Sequence, residues 1–256
     1  MSDFLSSSFL LLGLFVFLAG FVDSIAGGGG LITLPAYIHY GLKLDFLLGT
    51  NKMSSTLGTS VAAVKYLREL RFKSGYLVPV VITAAMGSVL GAKLISVLPP
   101  ITVKYLLIAV IPPTAFLLVS RKDWGLRDMS SAYPEKVLIL RSLLISFSIS
   151  FYDGMLGPGT GTFFAIALAG FCKYDILRAT ALSKLLNLTS NVSALVAFLI
   201  LGKVNLLLGI SMGFIGMAGN YAGAHLALKK GVWIIKPLLF IVSNGLLAKI
   251  IWDMLK

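Results

Sequence analysis

The 256-residue chain has few of the residues from which most enzyme sites are built. It contains one cysteine, Cys172, and two histidines, His39 and His225. A single cysteine excludes an intramolecular disulfide, and no cluster of Cys and His has the spacing of a structural metal site. The two histidines lie far apart in sequence and read as interfacial or packing residues. No metal and no other cofactor is expected. Acid is also scarce, with ten Asp and Glu against 22 Lys and Arg and a formal net charge of +12. Charged residues of either sign make up 12% of the chain, hydrophobic ones 57%, and the mean hydropathy is +0.93. So little charge excludes a water-soluble globule of this length, which would have nowhere to hide its apolar residues; the chain reads as an integral membrane protein. Solvated linkers are rare too. Only "RKDWGLRDMSSAYPEK", 121–136, looks like one.

Apolar stretches fill the rest. Those approaching the ~20 residues that a crossing needs lie near 4–22, 44–66, 75–98, 101–119, 137–152, 175–201, 204–228 and 232–252. The first is expected to stay in the protein, since "MSDFLSSS" carries an acid and no base and no small-residue cleavage pattern follows. Inside this apolar background stands "FVDSIAGGGGLITLP", an aspartate followed by Gly27, Gly28, Gly29 and Gly30.

The same pattern returns 130 residues later as "FYDGMLGPGT", with Phe21, Asp23, Gly27 and Gly29 falling on Phe151, Asp153, Gly157 and Gly159. At a register of 132, Lys52, Gly87, Gly91 and Lys104 fall on Lys184, Gly219, Gly223 and Lys236. Glycine coincidences alone carry little weight, but an aspartate and a lysine repeated inside apolar sequence do. Two halves of one design are expected: a first transmembrane repeat at 1–120, a cytoplasmic linker at 121–136 and a second repeat at 137–256.

Whether the halves are parallel or inverted depends on whether each Gly-rich segment crosses the bilayer. If each is a broken, re-entrant hairpin, about three true crossings remain per half and the repeats are inverted. The positive-inside rule chooses between the models. Setting aside Lys52 and Lys184, the hairpin model splits the positive residues 14 to 6 between faces and the eight-crossing model 12 to 8. The expected fold is therefore an all-α polytopic membrane protein with two inverted repeats. Both termini would lie outside a cell (inner or plasma) membrane, and basic loops 65–73, 121–141, 171–178 and 229–236 in the cytoplasm. Topology then accounts for most of the charge, and no nucleic-acid partner is needed.

Backbone that leaves the helix at membrane depth is tolerated only where it is buried in protein or lines a water-filled cavity. Two such breaks meeting from opposite faces would build a cavity, with glycine letting a ligand approach the main chain and a restarting helix aiming free N–H groups at it. Such a site suits a small anion. The glycine string is no nucleotide loop, because no Gly-Lys-Ser/Thr follows; the plainer reading is tight helix packing, the role expected of Gly87–Gly91 and Gly219–Gly223. "LGTNKMSSTLGTS" and "ALSKLLNLTSN" add Thr50, Asn51, Lys52, Ser55 and Thr59, then Ser183, Lys184, Asn187, Ser190 and Asn191. Lys52/Ser55/Thr59 and Lys184/Asn187/Asn191 each run along one helical face. A lysine costs several kcal/mol near the bilayer centre and marks a functional site unless it snorkels to the headgroups. Asp23 and Asp153 either cap the turns that follow, carry protons for coupled transport, or pair with the lysines.

With these residues in view, the chain resembles the sulfite exporter TauE/SafE family. The resemblance rests on "FVDSIAGGGGLITLPAYIHYGL", "LGTNKMSSTLGTSVAAVKYL" and the second-half echo beginning "FYDGMLGPGTGTFF". It implies a small, two-fold repeated transporter that moves sulfite, sulfonates such as sulfoacetate, or related sulfur anions out of the cell. It also implies a pathway lined by Gly27 to Gly30, Thr50, Asn51, Lys52, Gly157, Gly159, Thr160, Ser183 and Lys184. Pro158 departs from the first cluster's pattern and makes the two segments chemically unequal. The expected function is a secondary transporter, not an enzyme, for a small sulfur-containing anion, with Ser55 and Asn187 added to the substrate residues and Asp23 or Asp153 as the proton carrier. The alternatives are an importer of thiosulfate- or sulfate-like anions, an intramembrane enzyme, for which no constellation is present, and a membrane scaffold. Exposed small-residue faces would permit a homodimer.

Overall fold

Glycines set the two breaks inside the apolar segments of this chain. The computed structural model describes residues 7–99, 102, 105, 127–231, 233 and 234. Helix α1 (Ser7–Ala26) runs through twenty largely apolar residues, about 30 Å, and stops where Gly27 and Gly28 take φ of +81° and +92°. Left-handed backbone cannot continue a right-handed helix, and glycine adopts it without a Cβ penalty. Helix α2 (Gly30–His39) restarts at once, and α3 (Leu44–Glu69) and α4 (Ser74–Ser96) follow.

After a short 3₁₀ turn (Ser130–Ala132) comes α5 (Glu135–Met155), a second break, then α6 (Thr160–Phe171), α7 (Ile176–Ile200) and α8 (Leu206–Lys230). Asp175 caps α7 by accepting from the N–H groups of Leu177 and Arg178, both at 3.0 Å, and Asn205 caps α8 through Leu208 N–H at 3.1 Å. No strand occurs among the described residues. The two breaks differ by one residue: the left-handed positions are Gly27 and Gly28 in the first, Gly157 and Gly159 in the second. Pro158 stands where Gly28 stands, and its ring holds φ near about −65°, so the left-handed residue moves one place along.

Five described helices, α1, α4, α5, α7 and α8, are long and apolar enough to cross a membrane. The expected crossing at 44–66 corresponds to α3, which is 26 residues long but too polar to join them, carrying Asn51, Lys52 and a run of serines and threonines. The expected stretches 101–119 and 232–252, the repeated pair Lys104 and Lys236, and residues 121–126 of the linker lie outside the described residues.

Direction can be read from contacts. Tyr76 Oη meets Ser142 Oγ at 2.7 Å and the Ser88 carbonyl abuts Gly154, so α4 and α5 run side by side in the same sense. Ser88 also donates to the Ser190 carbonyl at 2.6 Å, and Cys172, just before α7, touches Ser142, so α7 shares that sense. Helices α1, α3 and α8 share one sense, because Phe17 and Phe21 face Gly219 and Gly223, and Met53 and Leu57 face Gly209 and Gly213. It is opposite to that of α7, because Gly49 faces Phe198 while Lys52, further along α3, reaches back to Asn191. Chain ends of the broken segments come back together: Phe9 stacks edge-on to Tyr40, and Arg141 donates to the Phe171 carbonyl at 2.7 Å.

Polarity is arranged inside out. Leu10, Leu14 and Leu18 on α1, Val78, Ile82 and Met86 on α4, Leu140 and Leu144 on α5, and Leu207 and Phe214 on α8 face outward. Buried between the helices lie Asp23, Asn51, Lys52, Asp153, Lys184, Asn187, Asn191 and Asn220. Contiguous outward apolar surface is what lipid, rather than water, accepts.

Candidate functional site

The two breaks touch each other in the middle of the protein. A Cβ on Gly27 would collide with the backbone of Gly161 and Thr162, and one on Gly30 would lie 3.4 Å from Pro158 Cα. The contact is pinned by Thr162, whose hydroxyl donates to the Ala26 carbonyl at 2.8 Å. Beside it, α3 and α7 cross and bring the repeated charges in.

Their pairing is crosswise. Lys52 Nζ sits 2.7 Å from Asp153 Oδ2 and donates to Asn191 Oδ1 at 2.9 Å, while Lys184 Nζ sits 3.2 Å from Asp23 Oδ2 and also donates to the Asp23 main-chain carbonyl. The lysine of each half thus holds the aspartate of the other. Each carboxylate is bonded again across its own break: Asp23 Oδ1 accepts from Gly29 N–H at 3.1 Å, and Asp153 accepts from Thr160 Oγ1 at 2.8 Å. Asp153 also accepts from the Ser190 hydroxyl of α7. Of the roles open for the aspartates, pairing with the lysines and bracing the turns are both present. Lys52 is 2% exposed and Lys184 0%, so neither snorkels to the headgroups. Stripping water from such charges costs several kcal/mol per ion, which only close pairing and further hydrogen bonds offset.

A cavity of about 40 Å³ opens among these groups. A water needs roughly 10–15 Å³, so the space suits a few waters or one compact oxyanion. The sequence-derived residues Asp23, Gly28, Gly29, Gly30, Asn51, Lys52, Ser55, Asp153, Gly157, Thr160 and Asn187 line it. Gly27, Thr50, Gly159, Ser183 and Lys184 do not. Gly27 is spent on the contact with α6, Thr50 accepts from Asn205 N–H at 2.9 Å, and Ser183 donates to the Gly161 carbonyl at 2.6 Å. The second face of the site is therefore led by Asn187 and Asn191, with Lys184 behind them.

Sequence reasoning passed over several lining residues, among them Thr33, Ser54, Gly161 and Asn220. Thr33 donates to Asn51 Oδ1 at 2.6 Å, and Ser54 accepts from Tyr37 Oη at 2.8 Å. The signal for Asn220 was available, an amide inside an apolar helix; Thr33 offers none, since a threonine satisfies itself on a helix carbonyl in any surroundings. No group of His, Cys, Asp and Glu that would hold a metal occurs among the described residues.

An all-helical body with an apolar exterior, enclosing a cavity of broken backbone and paired charges, is the build of a polytopic membrane transport protein. The family model "Sulfite exporter TauE/SafE" matches residues 12–250. The chain belongs to this family of membrane transporters. It is 38% identical over 246 residues to the "Probable membrane transporter protein ORF9" of Sinorhizobium sp, covering 95% of this chain and 93% of the relative. It is 34% identical over 251 residues to the "Probable membrane transporter protein YfcA" of Escherichia coli strain K12, covering 95% and 91%. A "Probable membrane transporter protein" of Haemophilus influenzae is 33% identical over 241 residues, covering 93% and 92%. No solved structure matches the chain.

Proposed function

We propose that the protein is a secondary transporter exporting a small sulfur-containing anion, sulfite or an organosulfonate such as sulfoacetate, across the cell membrane, with a proton moving alongside. The carrying observation is the cavity in which Lys52, the amides of Asn51, Asn187 and Asn191, and glycine backbone converge beside two carboxylates. Amides, hydroxyls and an ammonium are the donors that oxygens sharing one charge require. The small volume favours the inorganic anion over the larger sulfonate.

Charge balance makes the coupling. Lys52, Lys184, Asp23 and Asp153 form a neutral quartet, so an entering anion leaves an excess negative charge in a buried place. Protonating a carboxylate removes that excess and releases its lysine for the substrate. Anion and proton then bind together, and each favours the other. Accumulated substrate drives such a pair outward, and an inward proton gradient opposes it.

Two inverted repeats would carry the alternation of access. Supporting this, α1 to α4 and α5 to α8 follow the same order, corresponding helices run in opposite senses, and α1 packs on α8 as α5 packs on α4. The contacts Phe9–Tyr40 and Arg141–Phe171 support re-entrant hairpins that leave by the face they entered. Of the fourteen described Lys and Arg other than the buried pair, Lys65, Arg68, Arg71, Lys73, Arg127, Lys136, Arg141, Lys173, Arg178, Lys229 and Lys230 lie toward one face and Lys43, Lys93 and Lys203 toward the other. The positive-inside rule makes the first face cytoplasmic. In intact cells an impermeant maleimide is expected to label Lys43→Cys and leave Gly75→Cys untouched; the reverse pattern would turn the topology over.

The functional test is the thermal stability of the purified protein in detergent against sulfite, sulfoacetate, thiosulfate, sulfate and chloride at two pH values. A ligand at a hundred times its Kd stabilises by about 2.7 kcal/mol. The expected result is a rise with a sulfur anion that grows as pH falls, because protonating a carboxylate removes a like charge from the site. No rise with any of the five would defeat the substrate class, and a rise that shrinks at low pH would defeat the proton coupling.

A further inference from the structure

The cavity ends at Asp153, but buried polarity does not. Ser142, Ser146 and Ser150 stand at intervals of one turn on α5, and Asp153 continues the same face. All three serines are 0% exposed. Ser146 Oγ and Ser150 Oγ have no hydrogen-bond partner among the described residues, although a helical serine can reach its own i−4 carbonyl and here does not. A buried hydroxyl without a partner is unfavourable, and in native proteins it is almost always answered by water. Serines one turn apart are separated by about 6 Å along the helix, a gap that two hydrogen-bonded waters span with bonds of about 2.8 Å.

The row has two defined ends. Below, Ser142 is bonded to Tyr76 Oη and lies 3.4 Å from Cys172 Sγ, with Tyr174 edge-on to Tyr76 and Arg141 beside the Phe171 carbonyl, all at the basic face. Above, Asp153 meets Lys52 from α3, Thr160 from α6 and Ser190 from α7, with Ser88 of α4 bonded to the Ser190 carbonyl and Asp23 lining the same cavity. By the register of α4 on α5, Val80 and Ala84 lie level with the two unpartnered serines and offer them nothing polar. The other half lacks the device. The positions 130 residues earlier, set by Asp23 against Asp153, are Leu12, Val16 and Gly20.

We propose that Ser142, Ser146 and Ser150 hold a single file of water between α4, α5 and α7, a one-sided path by which protons from the basic face reach Asp153. This rests on the proton-coupled reading given above and adds the route and its sidedness. A proton arriving along the file converts the Asp153 carboxylate to the neutral acid, and Lys52 is left to the anion. Asp23 has no such row of hydroxyls behind it, so the two crosswise pairs are not equivalent: Lys52–Asp153 stands at the end of the file, and Lys184–Asp23 holds the hairpins together.

Water in the file can be tested without a substrate. In a Cys172→Ala background, membranes carrying Ser146→Cys or Ser150→Cys are transferred to heavy water and the S–H stretch of the single thiol is followed by infrared spectroscopy, beside Leu168→Cys from the equally buried apolar core. The expected result is exchange of S–H for S–D at both serine positions and none at Leu168→Cys. Serine positions as inert as Leu168→Cys would overturn the proposal, whatever the protein transports. A milder pair, Ser146→Ala and Ser150→Ala, covers the case in which the cysteine variants fail to fold. In proteoliposomes the double variant is expected to keep the anion-induced melting shift and lose most substrate-driven proton movement. Undiminished proton movement would show that the file is not the route, and absence of the melting shift in the parent protein would instead count against the transported anion.

Discussion

Lys52→Met is expected to weaken anion binding by one to two orders of magnitude while leaving a folded protein. Methionine keeps the length and apolar stem of lysine and removes only the charge. The partner left behind, Asp153, still accepts from Thr160 and Ser190 and can take up a proton, so it need not remain a buried naked charge. A hydrogen bond to a charged group contributes about 1.5–3 kcal/mol, which corresponds to roughly 10- to 150-fold in Kd. The measurement is the anion-induced melting shift, followed by uptake into proteoliposomes. Asp153→Leu should be the more damaging single change, because it strands an ammonium that has only Asn191 left, and breaking a buried pair from one side costs about 3–5 kcal/mol. The double variant Lys52→Met/Asp153→Leu should recover most of that stability and none of the binding. Wild-type affinity in Lys52→Met would remove the ammonium from the site and leave the amides and glycine backbone to hold the anion alone. Lys184→Met is the contrasting case. It lies outside the cavity lining, so it should lower the melting point with little change in Kd.

The difference between the two lysines shows where sequence reading stops. That both lysines and both aspartates matter was legible from their recurrence inside apolar sequence, where each is costly. Their partners were not legible, because pairing depends on how α3 and α7 cross, and Lys52 reaches Asp153 across 101 positions of chain that periodicity does not connect. The breaks were legible as glycine clusters beside an aspartate. Which glycine carries the left-handed turn was legible only at Pro158, where a fixed φ forbids it. The polar stripe Lys52, Ser55, Thr59 reaches the cavity as its helical spacing implies, whereas Lys184, Asn187, Asn191 contributes only its last two members. Helix α6 interposes Gly161 there, 3.2 Å from Lys184 Nζ by its would-be Cβ, and closes off the first. Small differences in how two related segments pack thus decide which copy of a repeated residue meets the substrate.

A loss of stability comparable to that of Asp153→Leu is expected from Gly27→Ala. Gly27 has φ +81°, and forcing an L-residue into that region costs about 1–2 kcal/mol. Added to this, the new methyl would occupy the space of the Gly161 and Thr162 backbone, where no side chain can swing aside. Nor can α6 retreat cheaply, because Thr162 is tied to the Ala26 carbonyl and Ser183 to the Gly161 carbonyl. Overpacking of that kind costs a further ~1–3 kcal/mol, enough to leave a marginally stable membrane protein unfolded or aggregated in detergent. Gly41→Ala supplies the control. Gly41 also has positive φ, +92°, but a Cβ there meets nothing within 4 Å, so only the backbone cost applies. Melting points of the two variants separate the strain of the turn from the contact between the broken segments. A Gly27→Ala protein as stable as Gly41→Ala would mean that the two breaks do not touch, and the cavity built on their meeting would have to be abandoned.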